Sequence, residues 1–239
     1  MTGSGSAGAL RRLRDVVAAD IAGADVAHDL GHLDRVAGLA GRLAVREGAD
    51  GFVAAVAAYV HDHHRAAEAR LGRVVAPAEC RDTARDALRR AGIEPALWDP
   101  VLDAVEATGR YSFAADPGSG PGGGATGRAA LIAACLHDAD MLDAMGATGI
   151  ARAFAYGGAI GEPLWDPAAP PVEGYRSGPT GSVVAHFHEK LLRLRGELAT
   201  AAGRELGERR HAALEEFLRR FRDEWLETHD DPATAPPAP

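Results

Sequence analysis

The stretch Tyr59-Val60-His61-Asp62-His63-His64-Arg65 closes an apolar run and sets three imidazoles, a carboxylate and a guanidinium side by side. Two other stretches answer it: His28-Asp29-Leu30-Gly31-His32 upstream and His137-Asp138-Ala139-Asp140 downstream. A fourth His-Asp pair, His229-Asp230, sits at the edge of a Pro-rich tail and is set aside. A histidine on one helix, a His-Asp pair ending the next and an aspartate on a later one make a mixed nitrogen and oxygen donor set. Such a set suits one divalent ion, with coordination positions left for water and substrate. Adjacent residues on a helix point about 100° apart. His61 and Asp62 can therefore share an ion only at a helix end, which is where the apolar pattern stops.

Outward from that pair the chain reads as helix after helix. Apolar positions recur at helical spacing over residues 6–23, 29–47 and 50–60, with Gly23 and Gly48 as stops and Asp50 as a start. Pro77 opens a helix that ends near Gly92, and Pro95 opens another to about Thr108. Residues 116–127 are Gly-rich. They form a loop that could act as a lid, but not a phosphate-binding loop, because no Gly-Lys-Ser/Thr follows. The next helix delivers Asp138 and Asp140, and another covers 148–156. A Gly/Pro-rich connection spans 157–181, and long helices cover 182–198 and 203–227. No strand alternation is present, so the expectation is an all-α, single-domain helical bundle over 6–228, with disordered ends at 1–5 and 229–239.

Composition narrows the partners. The chain has 239 residues, a net charge of −8 and no basic excess, which argues against nucleic acid or a membrane surface. No run of about 18 apolar residues exists, and the N-terminus lacks a signal-peptide core, so a cytoplasmic protein is expected. Cys80 and Cys135 lack metal-type spacing and read as buried thiols. Lys190 is the sole lysine. The stripe Leu214, Phe217, Leu218, Phe221, Trp225 reads as core or as a dimer surface, leaving monomer or homodimer open.

By residue type alone, His28 and His32 compete for the first ligand position, since i and i+4 share a helix face. Asp138 and Asp140 compete for the last. The segments HDLGHLDRV (28–36), REGAD (46–50), VHD (60–62), DADMLDAMGATGIARAFAYGG (138–158), HFHEKLLRL (186–194) and RHAALEEFLRRFRDEW (210–225) together resemble the HD-domain metal-dependent phosphohydrolase superfamily, within it the small bacterial YedJ/YpgQ-like group. The resemblance implies an all-helical HD fold. It also implies a divalent metal, Mn²⁺ foremost with Mg²⁺, Co²⁺, Ni²⁺ or Fe²⁺ as others, held by His32, His61, Asp62 and Asp140. Activity on phosphate esters or anhydrides of a nucleotide or another small phosphorylated metabolite follows, including hydrolysis of nucleoside triphosphates to monophosphate and pyrophosphate. His28 then becomes a substrate contact, and Asp138 supports the site. This chain departs from the group at Met141, where many relatives carry Arg, and after Asp62, where the usual acid and lysine give way to His63, His64 and Arg65.

The chemistry expected is attack of water at phosphorus. Arg35, Arg65, Arg152 and Lys190 are candidates to neutralise the phosphate. His63 or His64 are candidates to protonate the leaving oxygen, because imidazole titrates near neutral pH. Two other readings remain: an HD-fold di-iron oxygenase, which needs two further histidines between Asp62 and Asp140, and a non-catalytic nucleotide-binding HD module.

Overall fold

Local chemistry at the helix ends sets the architecture. The computed structural model describes residues 3–22, 28–108, 127–169, 171–172 and 180–227. Among them the chain forms α1 (Gly3–Asp20), α2 (Leu30–Arg46), α3 (Gly51–Val60), α4 (His63–Leu71), α5 (Arg81–Arg90), α6 (Trp98–Glu106), α7 (Gly127–Asp143), α8 (Gly146–Ile160), α9 (Val183–Glu189) and α10 (Ala201–Glu227). No strand occurs among the described residues, and no helix there is long and apolar enough to cross a membrane. The fold is all-α, as the periodicity predicts. Gly23, residues 116–126 of the Gly-rich stretch and the tail from 228 lie outside the described residues.

The side chain of Asp29 caps α2 by accepting from the His32 backbone N–H at 2.7 Å, and Asp50 caps α3 through Phe52 and Val53. These caps satisfy donors that a helix start leaves open. Both helices pack along small residues. Ala54, Ala57 and Ala58 of α3 are fully buried, and a Cβ on Gly51 would stand 2.8 Å from the Gly41 carbonyl oxygen. That close approach brings the His32 and His61 rings to a centroid separation of 5.4 Å. One continuous core then joins α1 to α3, α5 to α7, α9 and α10.

Gly146, at φ 69°, turns the chain sharply after α7, a conformation that favours glycine. α8 follows at once and packs against α7, α9 and α10. Phe187 of α9 is fully buried and packs on Phe154 of α8 and Phe217 of α10 at 5.9 and 5.7 Å. Burying such a ring contributes about 1.5–3 kcal/mol, which pins α9 beside α8. The stripe Phe217, Phe221, Trp225 is shared with Phe154 and Trp165, so its inner part is core.

Several boundaries differ from the sequence expectation. α1 begins at Gly3, so residues 3–5 are helical and not a disordered start. The helix α4 has no apolar stripe to reveal it, because His63, His64, Ala66 and Ala67 make its buried side. The helix expected from Pro77 to Gly92 starts as a 3₁₀ turn, Pro77–Cys80, and becomes α-helical at Arg81. α8 extends to Ile160. The long helix expected over 182–198 is two pieces, since Lys190 leaves helical geometry at φ −130°, ψ −64° and a 3₁₀ segment follows. Cys80 and Cys135 are buried free thiols.

Candidate metal centre

His61 is the C-cap of α3 and Asp62 the residue that opens α4. The break between the two helices lets neighbouring side chains converge. The His61 Nδ1–H donates to the Ala58 carbonyl at 2.7 Å, which turns Nε2 inward. His32 enters from the first turn of α2. Its Nδ1 lies 2.8 Å from Asp143 Oδ2, and a carboxylate only accepts, so the proton is on Nδ1 and Nε2 again faces inward. Asp140 arrives from the last turn of α7.

Around one point stand His32 Nε2, His61 Nε2 and an Asp140 oxygen, each within 4.8 Å of the others. Asp140 Oδ1 is 3.6 Å from His32 Nε2 and 3.9 Å from His61 Nε2. Asp62 straddles the two imidazoles, with Oδ2 3.3 Å from His32 Nε2 and Oδ1 3.3 Å from His61 Nε2. Ligands about 2.1 Å from one ion lie roughly 3–4 Å apart, and these separations fall in that span. His32 Nε2, His61 Nε2 and Asp62 Oδ2 are buried without a hydrogen-bond partner. Orphaned buried polar atoms are costly, and three of them converging on one point fit a cation.

The electrostatics agree. Burial opposes a charged His32, yet Asp143 at Nδ1 and Asp62 and Asp140 near Nε2 push its pKa up to about 9. Burial likewise opposes ionisation of Asp62, but His61, His32 and His28 hold its carboxyl well below the usual range. Asp140 is lowered by His61 and His32 against the same burial. The pocket stabilises positive charge at Nε2, which a metal ion supplies in place of a proton.

The structure thus gathers His32, His61, Asp62 and Asp140. Beside them opens a cleft of about 180 Å³ lined by His28, Arg65, Arg152, Tyr156, His186 and Lys190 among others. The His28 ring stands edge-on to His32 at 6.0 Å, at the junction of the cleft and the donor cluster. Arg65 also donates to Glu68 at 2.9 Å. Among the charged residues of the lining, Arg65, Arg152 and Lys190 face a single acid, Glu162.

Other expected residues lie elsewhere. His63, a candidate to protonate the leaving oxygen, is not part of the cleft lining. It is buried, with Nδ1 at the Val60 carbonyl and Nε2 3.4 Å from Asp20 of α1. His64 donates from Nδ1 to the His61 carbonyl at 3.0 Å, and burial pushes its pKa down. Neither lines the cleft, because the first turn of α4 aims both toward the Pro77–Arg81 side. Asp138, expected to support the site, is turned elsewhere. Its carboxylate accepts from the Ala199 and Thr200 backbone N–H groups at 2.7 and 2.8 Å and from Thr200 Oγ1 at 2.6 Å. Two residues along a helix is a rotation of about 200°, so facing Asp140 inward turns Asp138 away. Arg35 is not in the cleft lining either. Its Nε and Nη2 fork onto Asp143 at 2.7 and 3.0 Å.

Asp143 is the residue that sequence reasoning missed. It is fully enclosed, its pKa is held low by His32, Arg35 and Arg152 against burial, and it takes a further bond from Arg152 Nη1 at 2.8 Å. The available signal was spacing, since Asp140 and Asp143 are i and i+3 on one helix face. His186 was missed too, although it lies four residues before Lys190 in a quoted segment.

No family model matches the chain. It is 32% identical over 204 residues to the uncharacterized protein YpgQ of Bacillus subtilis (strain 168), covering 81% of this chain and 82% of that protein. A crystal structure of a Lactobacillus plantarum protein superposes with a TM-score of 0.72 at 29% identity, over 95% of this chain and 99% of that one. YpgQ in complex with ADP superposes at 0.64 and 29% identity, over 90% and 97%. An HD-superfamily hydrolase from Bacillus thuringiensis gives 0.64 and 29%, over 90% and 96%. With the His and Asp cluster in hand, these likenesses show that the chain belongs to the HD-domain superfamily of metal-dependent phosphohydrolases, in its YpgQ-like group.

Proposed function

We propose that this protein hydrolyses a phosphoric anhydride or ester of a nucleotide, with nucleoside triphosphates cleaved to monophosphate and pyrophosphate as the leading reaction. The observation that carries the reading is the juxtaposition of three orphaned donor atoms with a cleft walled by Arg65, Arg152 and Lys190. The ADP held by YpgQ supports a nucleotide as the ligand class. His32, His61, Asp62 and Asp140 would hold one divalent ion, with Mn²⁺ first among those that this donor set suits. When bound, the ion supplies Lewis acidity toward water and toward a phosphoryl oxygen.

The chain's own groups do the rest. Arg65, Arg152 and Lys190 orient the phosphate chain and offset charge that grows on its oxygens. With His63 and His64 turned away, His28 is the imidazole best sited to give a proton to the leaving oxygen. His186 stays neutral, since burial and the nearby Lys190 push its pKa down to about 3; it serves as a hydrogen-bonding wall.

The test is a screen for phosphate and pyrophosphate release over nucleotides and sugar phosphates, with Mn²⁺, Mg²⁺, Co²⁺ and Ni²⁺ in turn. Release from a nucleotide that disappears in His61→Ala is expected. No release from any substrate with any of these ions would overturn the proposal. Two irons per chain by elemental analysis would favour an oxygenase instead.

A further inference from the structure

Asp143 is neither a member of the donor cluster nor part of the cleft lining, yet it is bonded to a member of each. Its Oδ2 accepts from His32 Nδ1 at 2.8 Å and from Arg152 Nη1 at 2.8 Å. Arg35 closes the other side with Nε on Oδ1 and Nη2 on Oδ2. Three side chains from two other helices, α2 and α8, therefore meet one carboxylate at the end of α7. The side-chain exposure is 1% for Asp143 and His32 but 16% for Arg152 and 40% for Arg35, so the network runs from the buried ligand outward to the solvent side.

Stability is a poor explanation for this arrangement. Buried ion pairs often stabilise no more than apolar residues of the same volume. Leu33 and Val36 of α2 and Leu136 and Leu142 of α7 already share the core, and Ile150, Ala153 and Phe154 of α8 pack against it. Orientation is the better explanation. An imidazole bonded at Nδ1 to a carboxylate is locked in tautomer and ring angle and is a stronger donor at Nε2. A guanidinium sharing the same oxygen is held at a set angle beside the cleft that it lines.

We infer that Asp143 is a positioning residue that sets two things with one carboxylate: the aim of His32 Nε2 into the metal centre and the aim of Arg152 into the anion cleft. Arg35 braces it from the solvent side. The inference rests on the metal reading of the cluster. It predicts that loss of Asp143 damages metal binding and anion binding together, whereas loss of Arg152 damages anion binding alone.

Calorimetry on the full chain tests this with two probes, Mn²⁺ on the metal-free protein and inorganic pyrophosphate on the metal-free protein. Asp143→Asn should weaken Mn²⁺ binding about 10–100-fold and weaken pyrophosphate binding as well. Arg152→Gln should weaken pyrophosphate binding roughly tenfold and leave Mn²⁺ binding within about twofold. Asp143→Asn that binds Mn²⁺ as the unmodified protein does would overturn the inference. Should that variant fail to fold, imidazole ¹⁵N spectra of the unmodified protein loaded with Mg²⁺ decide: His32 protonated at Nδ1 is expected, and protonation at Nε2 would overturn it. If the unmodified protein binds Mn²⁺ with this dependence on Asp143 but hydrolyses nothing, the inference stands and the proposed reaction falls. If it binds no Mn²⁺, both fall.

Discussion

Asp138 and Asp140 lie two residues apart on α7, and their carboxylates do unrelated work. Asp140 faces two imidazoles and keeps 23% of its side chain exposed. Asp138 is wholly buried and takes three hydrogen bonds from Ala199 and Thr200, which fasten the start of α10. A carboxylate with donors already filling its oxygens has little left for an ion, and one facing lone pairs has nowhere to turn except to a cation. The difference between an anchor and a ligand is thus made by what meets the oxygens, and the helix supplies it through rotation alone.

The sharpest way to break this comparison is to remove a member of each region. Asp140→Ala and His61→Ala should cut hydrolysis by about a thousandfold or more, since Lewis-acid stabilisation worth several kcal/mol goes with the ion and each 1.36 kcal/mol is tenfold. Steady-state rates on protein verified as folded by circular dichroism check it. Asp138→Ala should instead lose about 3 kcal/mol of stability, because it strands backbone donors that had a charged acceptor. Urea midpoints measure that loss, and turnover per folded molecule should stay near normal. If Asp138→Ala folds stably and is inactive, the two residues have been assigned the wrong way round.

Acidification sharpens the contrast further, on the cleft side. His186 has a pKa of about 3 in the folded protein, set by burial and then by Lys190, against about 6.5 in an unfolded chain. Between those values the unfolded state binds the extra proton, so stability rises with pH. From pH 6.5 downward this group removes up to about 1.4 kcal/mol per pH unit, and above 7 it contributes no slope. Urea unfolding across pH 4 to 7 should show a shallower acid limb in His186→Gln; equal limbs would remove His186 from that account. The smallest effect belongs to the exposed pair Arg46 and Glu205, both more than half exposed. Arg46→Ala should change stability by less than about 1 kcal/mol, a loss that urea midpoints would bound.

Much of the centre was legible in the linear order of residues. A His-Asp pair at the end of an apolar run needs a helix break, and α3 does stop at Val60 with α4 beginning at His63. His63 and His64 were harder to read. They adjoin the pair and share its chemistry, but α4 has no apolar periodicity, so nothing in the chain disclosed that its first turn would carry them to Asp20 and the Pro77–Arg81 side. Arg35 and Asp143 are 108 residues apart; their fork depends on how α2 and α7 pack, which periodicity does not encode. Lys190 was picked out as the sole lysine, while the break in helix geometry that sets it at the cleft was not foreseen.

Helical periodicity and the ligand preferences of imidazole and carboxylate are local properties, so the helical class, the donor types and their order are readable from the chain alone. The resemblance already chose Asp140 over Asp138; the packing of the helices settled which histidines leave the centre and that Asp143 joins His32 to Arg152. Those choices depend on helix rotation and on contacts between residues far apart in the chain, and both arise only when the helices pack.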